Sequence, residues 1–300
     1  MRLMKNVASI SASGTLGAVA LKKLLEADKF HVTVIRRAGS NSTFPDNVKV
    51  IDVDYSSPES LKAAFKGQDS IVSLVPTFAA DAQKAFIDAA VETGVSRFIP
   101  SEFSATLANP KARTIPVFVP KVKLQEYLVE KAKASDLTYT FVYGGAWLDA
   151  GSHRSFLISS TGDTTNIYDG GDIPISESTL DTVAEAIVST LGHVEETKNR
   201  SVHVHSIVTT QDRLLVLAKE VASEKACDTV HYKLDDLTAK SDERLANGIT
   251  DFDAFGPHIL RAIFDPAFGA CYAKSDNELL GVEEASEDDI RVVIRALQEK

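Results

Sequence analysis

The sequence has little cysteine and carries more acidic than basic side chains. Its 300 residues include two cysteines, Cys227 and Cys271, which are too few for a disulfide framework or a cysteine-ligated zinc cluster. We therefore expect a reducing, cytoplasmic location. The formal net charge of -10 argues against nucleic acid or an anionic membrane as the main partner.

Long apolar runs, internal repeats and low-complexity tracts are also lacking. No stretch approaches the roughly 18 consecutive apolar residues that a membrane-spanning helix needs. Serine, glycine and threonine residues between positions 9 and 15 interrupt the N-terminal apolar segment, unlike a secretory signal. With 44% hydrophobic residues, the chain is long enough for one large α/β domain with a smaller lobe, or for two domains.

The N-terminal stretch from residue 5 to residue 26 predicts a strand, a tight turn and a helix. Asn6 to Ile10 is short and apolar, the turn is SASGTLG, and apolar residues then recur at helical spacing. Such a turn directs backbone N–H groups and the positive end of the helix dipole at one point, which is how a Rossmann-type sheet holds a dinucleotide pyrophosphate. The expected contacts are Ser11, Ser13, Gly14, Thr15 and Leu16.

The glycine pattern of this turn is incomplete. Gly14 and Gly17 keep the later two glycines of a G-x-x-G-x-x-G turn, but Ser11 stands at the first position. We expect Ser11 to make the bend only if its φ angle is negative.

A pair of arginines at the end of the second predicted strand favours NADP over NAD. The strand HVTVI ends at Arg36 and Arg37, where a dinucleotide fold meets the adenosine ribose. An acid there suits the free ribose hydroxyls, whereas arginine suits the 2′-phosphate. Asp54 and Tyr55 follow the third strand and are expected near the adenine edge.

The remaining pattern predicts strands that alternate with helices, and hence a parallel sheet with right-handed crossovers. A helix is expected over residues 79–93, and further helices over 121–135 and 180–191. Val75 and Pro76 end the fourth strand, and Glu102 and Phe103 follow the fifth. Because ligands bind beyond the carboxyl ends of such strands, we expect these four residues to contact the cofactor.

We therefore predict an α/β fold with a doubly wound parallel Rossmann sheet and a smaller mixed C-terminal substrate lobe. Residues 1–150 form the predicted NADP-binding domain, to which 178–206 returns, and residues 151–300 form the smaller lobe. Phe252, Phe255, Phe264 and Phe268 are candidates for lining a pocket, although core packing alone would explain them.

One segment, RFIPSEFS at residues 97–104, resembles the RFIPSEFG signature of the NmrA-like and isoflavone-reductase-like proteins, a branch of the atypical short-chain dehydrogenases. Other segments agree, including SASGTLG, VIRR and DGGDIPISESTLDTVAEAIV. The resemblance covers most of residues 5–210 and is closest to fungal members. It implies an NADPH-binding domain and a variable substrate lobe, but enzyme activity does not follow automatically because one founding member is a transcriptional regulator.

The resemblance also implies a catalytic lysine at the start of the helix over 121–135. Lys121 matches this position better than Lys123, which remains an alternative. Such a lysine bonds the nicotinamide ribose and polarises a carbonyl or donates a proton, helped by a pKa that burial lowers. The usual tyrosine, four residues earlier, is replaced by Val117. The Tyr127 and Lys131 pair has the usual spacing but lies too near the end of the helix.

Residues after the sixth strand are expected to face the nicotinamide and the substrate. Tyr143, Gly144 and Gly145 are candidates for the cofactor, since glycine allows close backbone approach. Trp147 and His153 are candidates for contacting the substrate. The alternative for Trp147 is ordinary core packing, and the alternative for His153 is a position in a surface loop. His203 and His205 are expected to share one face of a strand, but no residue at ligand spacing accompanies them, so we predict no metal.

The leading hypothesis is an NADPH-dependent reductase of a small aromatic or polyketide-like metabolite, acting as a monomer or homodimer. An NADP-binding redox sensor without turnover is one alternative. A redox-neutral isomerase or dehydratase on the same scaffold is another.

Overall fold

The computed structural model describes residues 4–150, 157–158, 164–221 and 228–298. The strands of this part are β1 (Asn6–Ile10), β2 (His31–Arg37), β3 (Lys49–Val53), β4 (Ser70–Ser73), β5 (Arg97–Ile99), β6 (Thr138–Tyr143), β7 (Ala146–Trp147), β8 (Thr165–Tyr168), β9 (Ile175–Ser178), β10 (Arg200–His203), β11 (Ile207–Thr209) and β12 (Thr229–Tyr232).

The α-helices of the same part follow the strands in alternation through the first half of the chain. They are α1 (Thr15–Glu26), α2 (Pro58–Phe65), α3 (Gln83–Glu92), α4 (Val119–Lys133), α5 (Leu180–Gly192), α6 (Gln211–Val221), α7 (Leu234–Ala246), α8 (Phe252–Phe264), α9 (Asn277–Leu280) and α10 (Glu287–Gln298).

The central sheet has seven strands in the order β3-β2-β1-β4-β5-β6-β10, and every neighbouring pair is parallel. The strand order reverses between β1 and β4, so the crossovers on the two sides of β1 lie on opposite faces of the sheet. This arrangement leaves a crevice at the carboxyl ends of β1 and β4, where open α/β sheets bind ligands. The predicted doubly wound parallel sheet is confirmed.

Helices pack on both faces of the sheet, and apolar side chains are buried between the sheet and the helices. Helices α2, α3 and α4 pack on one face through residues such as Phe65, Phe86 and Leu124. Helices α1 and α5 pack on the other through Leu24 and Ile187. Strands covered on both faces are buried along nearly their whole length, which explains the continuous apolar runs in the sequence.

The C-terminal half of the chain contributes two smaller sheets and a third apolar core. Strands β11, β9 and β7 form a mixed three-stranded sheet, and β12 pairs with β8 in parallel. The third core joins Ile175, Leu214 and Phe264, among others. The smaller mixed sheet is therefore confirmed, whereas the predicted boundaries between domain and lobe stay a prediction.

Residues 178–206 return to the central sheet, as expected. Helix α5 packs against α1, and β10 then pairs with β6 in parallel at the edge of the central sheet. Strand β10 ends at His203, because the Asn277 side chain binds the backbone N–H of His205. The expectation that His203 and His205 share one face of a single strand is therefore wrong.

The helix expected over residues 79–93 is also different in the structure. A 3-10 turn occupies Thr77–Ala82, and the regular helix α3 begins only at Gln83. Ala79 interrupts the turn with φ -107° and ψ 18°. The buried Gln83 side chain accepts a hydrogen bond from the backbone N–H of Ser101 at 2.9 Å, so the start of α3 is fixed to the loop after β5.

Candidate functional site

The turn between β1 and α1 is closed by backbone contacts alone. The Ser11 carbonyl accepts a hydrogen bond from the Gly14 N–H at 3.1 Å, and Ser11 has φ +61°. The expectation that Ser11 bends only with a negative φ is therefore wrong. A left-handed conformation costs serine some free energy, and here the lack of a side chain at Gly17 permits it, because a Cβ atom at position 17 would overlap the Ser11 carbonyl oxygen.

The N-terminus of α1 fits the pyrophosphate of a dinucleotide. Gly14 is the N-cap residue and supplies no side-chain cap, so the first N–H groups of the helix keep their hydrogen-bonding capacity for a ligand. Ser13, Gly14 and Thr15 are exposed, and the small side chains of the turn leave the helix end open. Backbone N–H groups with the positive end of the helix dipole make this a site for negatively charged phosphate.

The end of β2 carries a fixed arginine. Arg36 donates from Nε and Nη2 to the Asp52 carboxylate at 2.6 and 2.8 Å, and from Nη1 to the Ser42 carbonyl at 2.8 Å. The hydrogen bonds with Asp52 raise the pKa of Arg36 and lower that of Asp52. The Ser42 hydroxyl in turn donates to the Ser13 hydroxyl at 3.1 Å, which joins the loop after β2 to the β1–α1 turn.

Arg37 and the residues after β3 have different surroundings. Arg37 is exposed, one residue beyond the paired Arg36. Asp54 uses its carboxylate locally, accepting hydrogen bonds from the Ser56 backbone N–H and hydroxyl, which lower the pKa of Asp54. The Tyr55 hydroxyl donates to the Ile35 carbonyl at 2.9 Å, and burial raises the pKa of Tyr55 to about 12.

The loops after β4 and β5 are tied together. The Ser101 hydroxyl donates to the Val75 carbonyl, and the Phe103 N–H donates to the Val142 carbonyl in β6 at 2.8 Å. Phe103 has φ +55°, a strained conformation for a side chain of that size. Val75 is buried, and Pro76 beside it is exposed. The carboxyl ends of three neighbouring strands are thus held in one rigid loop cluster.

Lys121 and Glu102 are buried side by side within that cluster. Lys121, in the first turn of α4, is 4% exposed and donates from Nζ to the backbone carbonyl of Glu102 at 3.2 Å. Burial lowers the pKa of Lys121, and the charge of Glu102 partly opposes this. Burial raises the pKa of Glu102 to about 7, against the opposing charge of Lys121. Lys123, the alternative, is exposed.

Gln125, one turn after Lys121, links α4 to the sheet. Its Nε2 donates to the Tyr143 hydroxyl at 2.8 Å, and its Oε1 accepts a hydrogen bond from Arg113 Nη1 at 2.7 Å. Gln125 also lowers the pKa of the Glu102 carboxyl group, against the effect of burial. Tyr143 is fully buried, and its burial raises its pKa well above the ordinary value. The side chain of Tyr143 therefore belongs to this interior network.

The two glycines after β6 are required by contacts within the protein. Gly145 has φ +70°, and a Cβ atom there would overlap the Ser176 carbonyl of β9. A Cβ atom on Gly144 would lie 3.2 Å from the Phe103 carbonyl oxygen and would also collide with Val183. The close backbone approach that these glycines allow is to protein, and their expected contact with the nicotinamide stays a prediction.

An apolar cavity of about 320 Å³ opens beside these glycines. Trp147 forms part of its wall and donates from Nε1 to the Phe103 carbonyl at 2.8 Å, which fixes the indole ring. Phe78, 72% exposed, lies at the cavity with its ring 6.1 Å from that of Phe255. The lining residues are Thr77, Phe78, Ser104, Ala105, Val117, Phe118, Gly145, Ala146, Trp147, Leu148, Ala150, Leu157, Ile259 and Ile263.

Several predicted candidates lie elsewhere. His153 falls outside the described residues. Tyr127 hydrogen-bonds Asp88 of α3, and Lys131 forms a salt bridge with the same carboxylate at 2.6 Å. The side chains of Tyr127 and Lys131 are therefore both bound to α3. The four phenylalanines do not line the cavity at Trp147, where Ile259 and Ile263 of α8 stand instead.

The two histidines of the expected pair have separate partners. His203 Nε2 lies 2.9 Å from the Thr106 hydroxyl, and His205 Nε2 lies 3.1 Å from Glu284. Across residues 4–298, leaving aside the undescribed segments, no group of three His, Cys, Asp or Glu residues is placed to hold a metal ion.

Sequence reasoning missed several residues of the site. Gln125 lies four residues after Lys121, and this i, i+4 spacing on one helix would have revealed it. Ser42, Gln83 and Arg113 gave no comparable signal, because their partners are distant in the sequence.

The fold and the β1–α1 turn define a Rossmann-type dinucleotide-binding protein. In agreement, residues 11–194 match the family described as NAD(P)H-binding. Two fungal relatives support this match. Oxidoreductase aprR of Aspergillus flavus is 35% identical over 226 residues, which cover 74% of this chain and 75% of the relative. Oxidoreductase poxI of Penicillium oxalicum is 30% identical over 304 residues, which cover 96% of this chain and 92% of the relative.

Solved structures agree with the expected fold. Leucoanthocyanidin reductase of Vitis vinifera, solved with NADPH, matches with a TM-score of 0.78 and 17% identity over 98% of this chain and 100% of that one. An isoflavone reductase matches with a TM-score of 0.76 and 16% identity, over 98% of this chain and 99% of that one. The chain belongs to the NAD(P)H-binding family, and the expectations of an isoflavone-reductase-like fold, a nicotinamide dinucleotide cofactor and an oxidoreductase are confirmed.

The described helices are all too short or too polar to cross a bilayer.

Proposed function

We propose that the protein is an NADPH-dependent reductase of a small aromatic or polyketide-like metabolite. The observation that carries this proposal is the buried Lys121 in the first turn of α4, three residues after Phe118 of the cavity wall. A lysine whose pKa is lowered by burial, next to an apolar cavity at the carboxyl edge of a Rossmann sheet, combines a proton donor with a place for a substrate.

In this proposal, residues at the carboxyl ends of β1 and β2 bind the phosphate and ribose groups of the cofactor. The backbone N–H groups of Thr15 and Leu16 hold the pyrophosphate, and Ser11, Ser13 and Gly14 shape the turn. Arg37 is the better partner for the 2′-phosphate, because three N–H groups of Arg36 are already bound to Asp52 and Ser42. Asp54 stands near the adenine edge, and its carboxylate is partly used by Ser56.

We propose that the nicotinamide ring lies at the carboxyl ends of β4, β5 and β6. Val75, Pro76, Glu102 and Phe103 line this part of the site in the proposal, with Gly144 and Gly145 opposite them. The bound cofactor supplies a hydride. Lys121 holds a positive charge and a proton, which stabilise the negative charge that develops on a substrate oxygen. The apolar wall around Trp147 excludes water and thereby strengthens this electrostatic interaction.

The lining of the cavity favours a flat apolar substrate. Its walls consist of aliphatic side chains, the rings of Phe78, Phe118 and Trp147, and a few backbone groups. Aromatic substrates pack well against such rings, and few polar side chains are present to bind a sugar or a charged group. Two structural neighbours, a leucoanthocyanidin reductase and an isoflavone reductase, support the same class of substrate.

The test is deuteride transfer from NADPH labelled with deuterium at C4, offered with a panel of aromatic ketones, enones and benzylic ethers. We expect deuterium in a product of the wild-type protein. Lys121→Met should slow this transfer by about 100-fold or more, the usual contribution of a proton donor. Lys123→Met is the matched variant, and because Lys123 is exposed it should transfer deuteride at the wild-type rate.

Other outcomes would assign another function. Turnover of a panel compound without NADPH consumption would indicate an isomerase or dehydratase. Tight NADPH binding without turnover of any compound would favour a redox sensor. We also propose a cytoplasmic location, consistent with two cysteines in 300 residues, and a monomer or homodimer that acts on a small molecule rather than on nucleic acid or a membrane.

A further inference from the structure

Glu102 carries a buried carboxyl group with an incomplete set of hydrogen bonds. The residue is 4% exposed, and its Oε1 has no hydrogen-bond partner. Burying an unpaired carboxyl oxygen costs free energy. An aliphatic side chain would fill the same space without that cost, so the carboxyl group calls for a role of its own.

The fold buries Glu102 and Lys121 in contact with each other. The Lys121 Nζ donates to the backbone carbonyl of Glu102 itself at 3.2 Å. The lysine comes from the first turn of α4 and the glutamate from the loop after β5, so two separate elements converge there. In a space of low dielectric constant, opposite charges influence each other more strongly than at the surface.

The other charged and titratable groups around this space are few. From the segment before α4, Arg113 reaches Gln125 and is itself paired with Glu126 at 2.9 Å. From β6, Tyr143 accepts a hydrogen bond from Gln125, and the ring of His203 in β10 stacks on Tyr143 at 5.2 Å.

Tyr272 completes this set of groups. Its ring meets that of His203 edge-on at 4.8 Å, and burial raises the pKa of Tyr272. Burial lowers the pKa of His203, so this ring is neutral near pH 7. Two tyrosines and a neutral histidine carry no charge there, so Glu102 is the nearby group that balances the lysine.

We propose that Glu102 is a positioning residue whose carboxylate keeps the proton on Lys121 while the site is closed around cofactor and substrate. This inference rests on the proposed role of Lys121 in the reductase reaction. The two side chains then titrate as a pair, because the ionised form of each favours the ionised form of the other.

The direction of the coupling follows from the charges. Burial lowers the pKa of Lys121, and the charge of Glu102 opposes that shift. Loss of the carboxylate therefore lowers the pKa of Lys121 further, and the alkaline loss of reductase activity moves to lower pH. Conversely, loss of the lysine charge raises the pKa of Glu102 further above its ordinary value. Reciprocity of this kind is required by thermodynamic linkage.

The experiment is an NMR titration of the full chain with NADP+ bound and ¹⁵N-labelled lysine side chains. Lys121→Met identifies the Lys121 resonance. In Glu102→Gln we expect the midpoint of Lys121 to fall by about one pH unit or more, the size of shift that a nearby opposite charge produces. Glu130→Gln makes the same chemical change at an exposed position of α4 and should leave the midpoint unchanged.

A second measurement covers the case in which Glu102→Gln does not fold. The infrared carboxyl band of Glu102, followed against pH in Lys121→Met, should titrate at a higher pH than in the wild type. An unchanged Lys121 midpoint in folded Glu102→Gln, or an unchanged Glu102 band in Lys121→Met, would overturn this inference alone. Normal deuteride transfer by Lys121→Met would instead overturn the proposed function of the lysine.

Discussion

Gly17 approaches the backbone of Ser11 so closely that a Cβ atom on Gly17 would overlap the Ser11 carbonyl oxygen. The same carbonyl closes the turn by accepting the Gly14 N–H at 3.1 Å. The conformation of Ser11 and the small size of Gly17 therefore depend on each other. Together they set the direction in which the N-terminus of α1 points.

Gly17→Ala should destabilise the protein by about 1–3 kcal/mol, as overpacking of a tight contact usually does. It should also weaken NADPH binding, because the turn must shift. Gly14→Ala is the matched control: its Cβ atom would meet the Ser11 carbonyl oxygen at 3.4 Å, an ordinary contact. Thermal unfolding of both variants checks this, and equal melting temperatures would contradict the tight-turn explanation.

Arg37→Ala should weaken NADPH binding by about 10- to 100-fold, the worth of a hydrogen bond to a charged group, and leave NADH binding unchanged. The reason is that Arg37 is exposed at the end of β2, whereas Arg36 is bound to Asp52. Equilibrium titration with both nucleotides is the measurement. Arg295→Ala, at an exposed position of α10, serves as the control. If Arg36→Ala alone removed the preference for NADPH, the 2′-phosphate partner would be Arg36.

Glu177→Gln should stabilise the protein at neutral and alkaline pH. Glu177 in β9 is fully buried, both carboxyl oxygens lack partners, and burial raises its pKa well above the ordinary value. The folded state thus binds a proton that the unfolded state releases near pH 4.3, so stability falls as the pH rises toward the folded pKa, by about 1.4 kcal/mol per unit of pKa difference.

The measurement is the melting temperature of Glu177→Gln against pH. Its advantage over the wild type should grow from pH 5 to pH 8, because glutamine cannot ionise. Glu283→Gln, at an exposed site, should show no such growth. A constant difference between variant and wild type across this range would show that Glu177 ionises in the folded protein without cost.

Ala105→Phe should fill part of the apolar cavity, which has a volume of about 320 Å³ and includes Ala105 in its wall. We expect KM for the substrate to rise by about 10-fold, a moderate steric penalty, while the affinity for NADPH is unchanged. Ala108→Phe, at an exposed position of the same loop, is the control. A parallel loss of NADPH binding in Ala105→Phe would place the cofactor, rather than the substrate, in the cavity.

The order of strands and helices was predictable, because each alternation in apolar pattern was strong and the parallel sheet buries both faces of its strands. The errors arose where tertiary contacts override local pattern. The chain from Thr77 to Glu92 has helical spacing throughout, yet the side chain of Gln83 binds the loop at Ser101 and a kink at Ala79 separates two helical segments.

The site was predictable where a residue's role depends on its neighbours in sequence. The β1–α1 turn is of this kind, whereas Lys121 was expected from the family resemblance and its catalytic role stays a prediction. The pairing of Arg36 with Asp52, the contact of Lys121 with the Glu102 backbone and the burial of Glu177 were not predictable, because each depends on strands or loops that are distant in the chain.

The most direct test of the account is energy transfer from tryptophan to bound NADPH. Trp147 is the single tryptophan of the chain, and its ring forms part of the cavity wall beside Gly145. We predict saturable quenching of its fluorescence by NADPH at micromolar concentrations, weaker quenching by NADH, and none with Gly17→Val. Failure of both nucleotides to quench at millimolar concentrations, in a folded protein, would contradict the assignment of the crevice at β1 and β4 as a dinucleotide site.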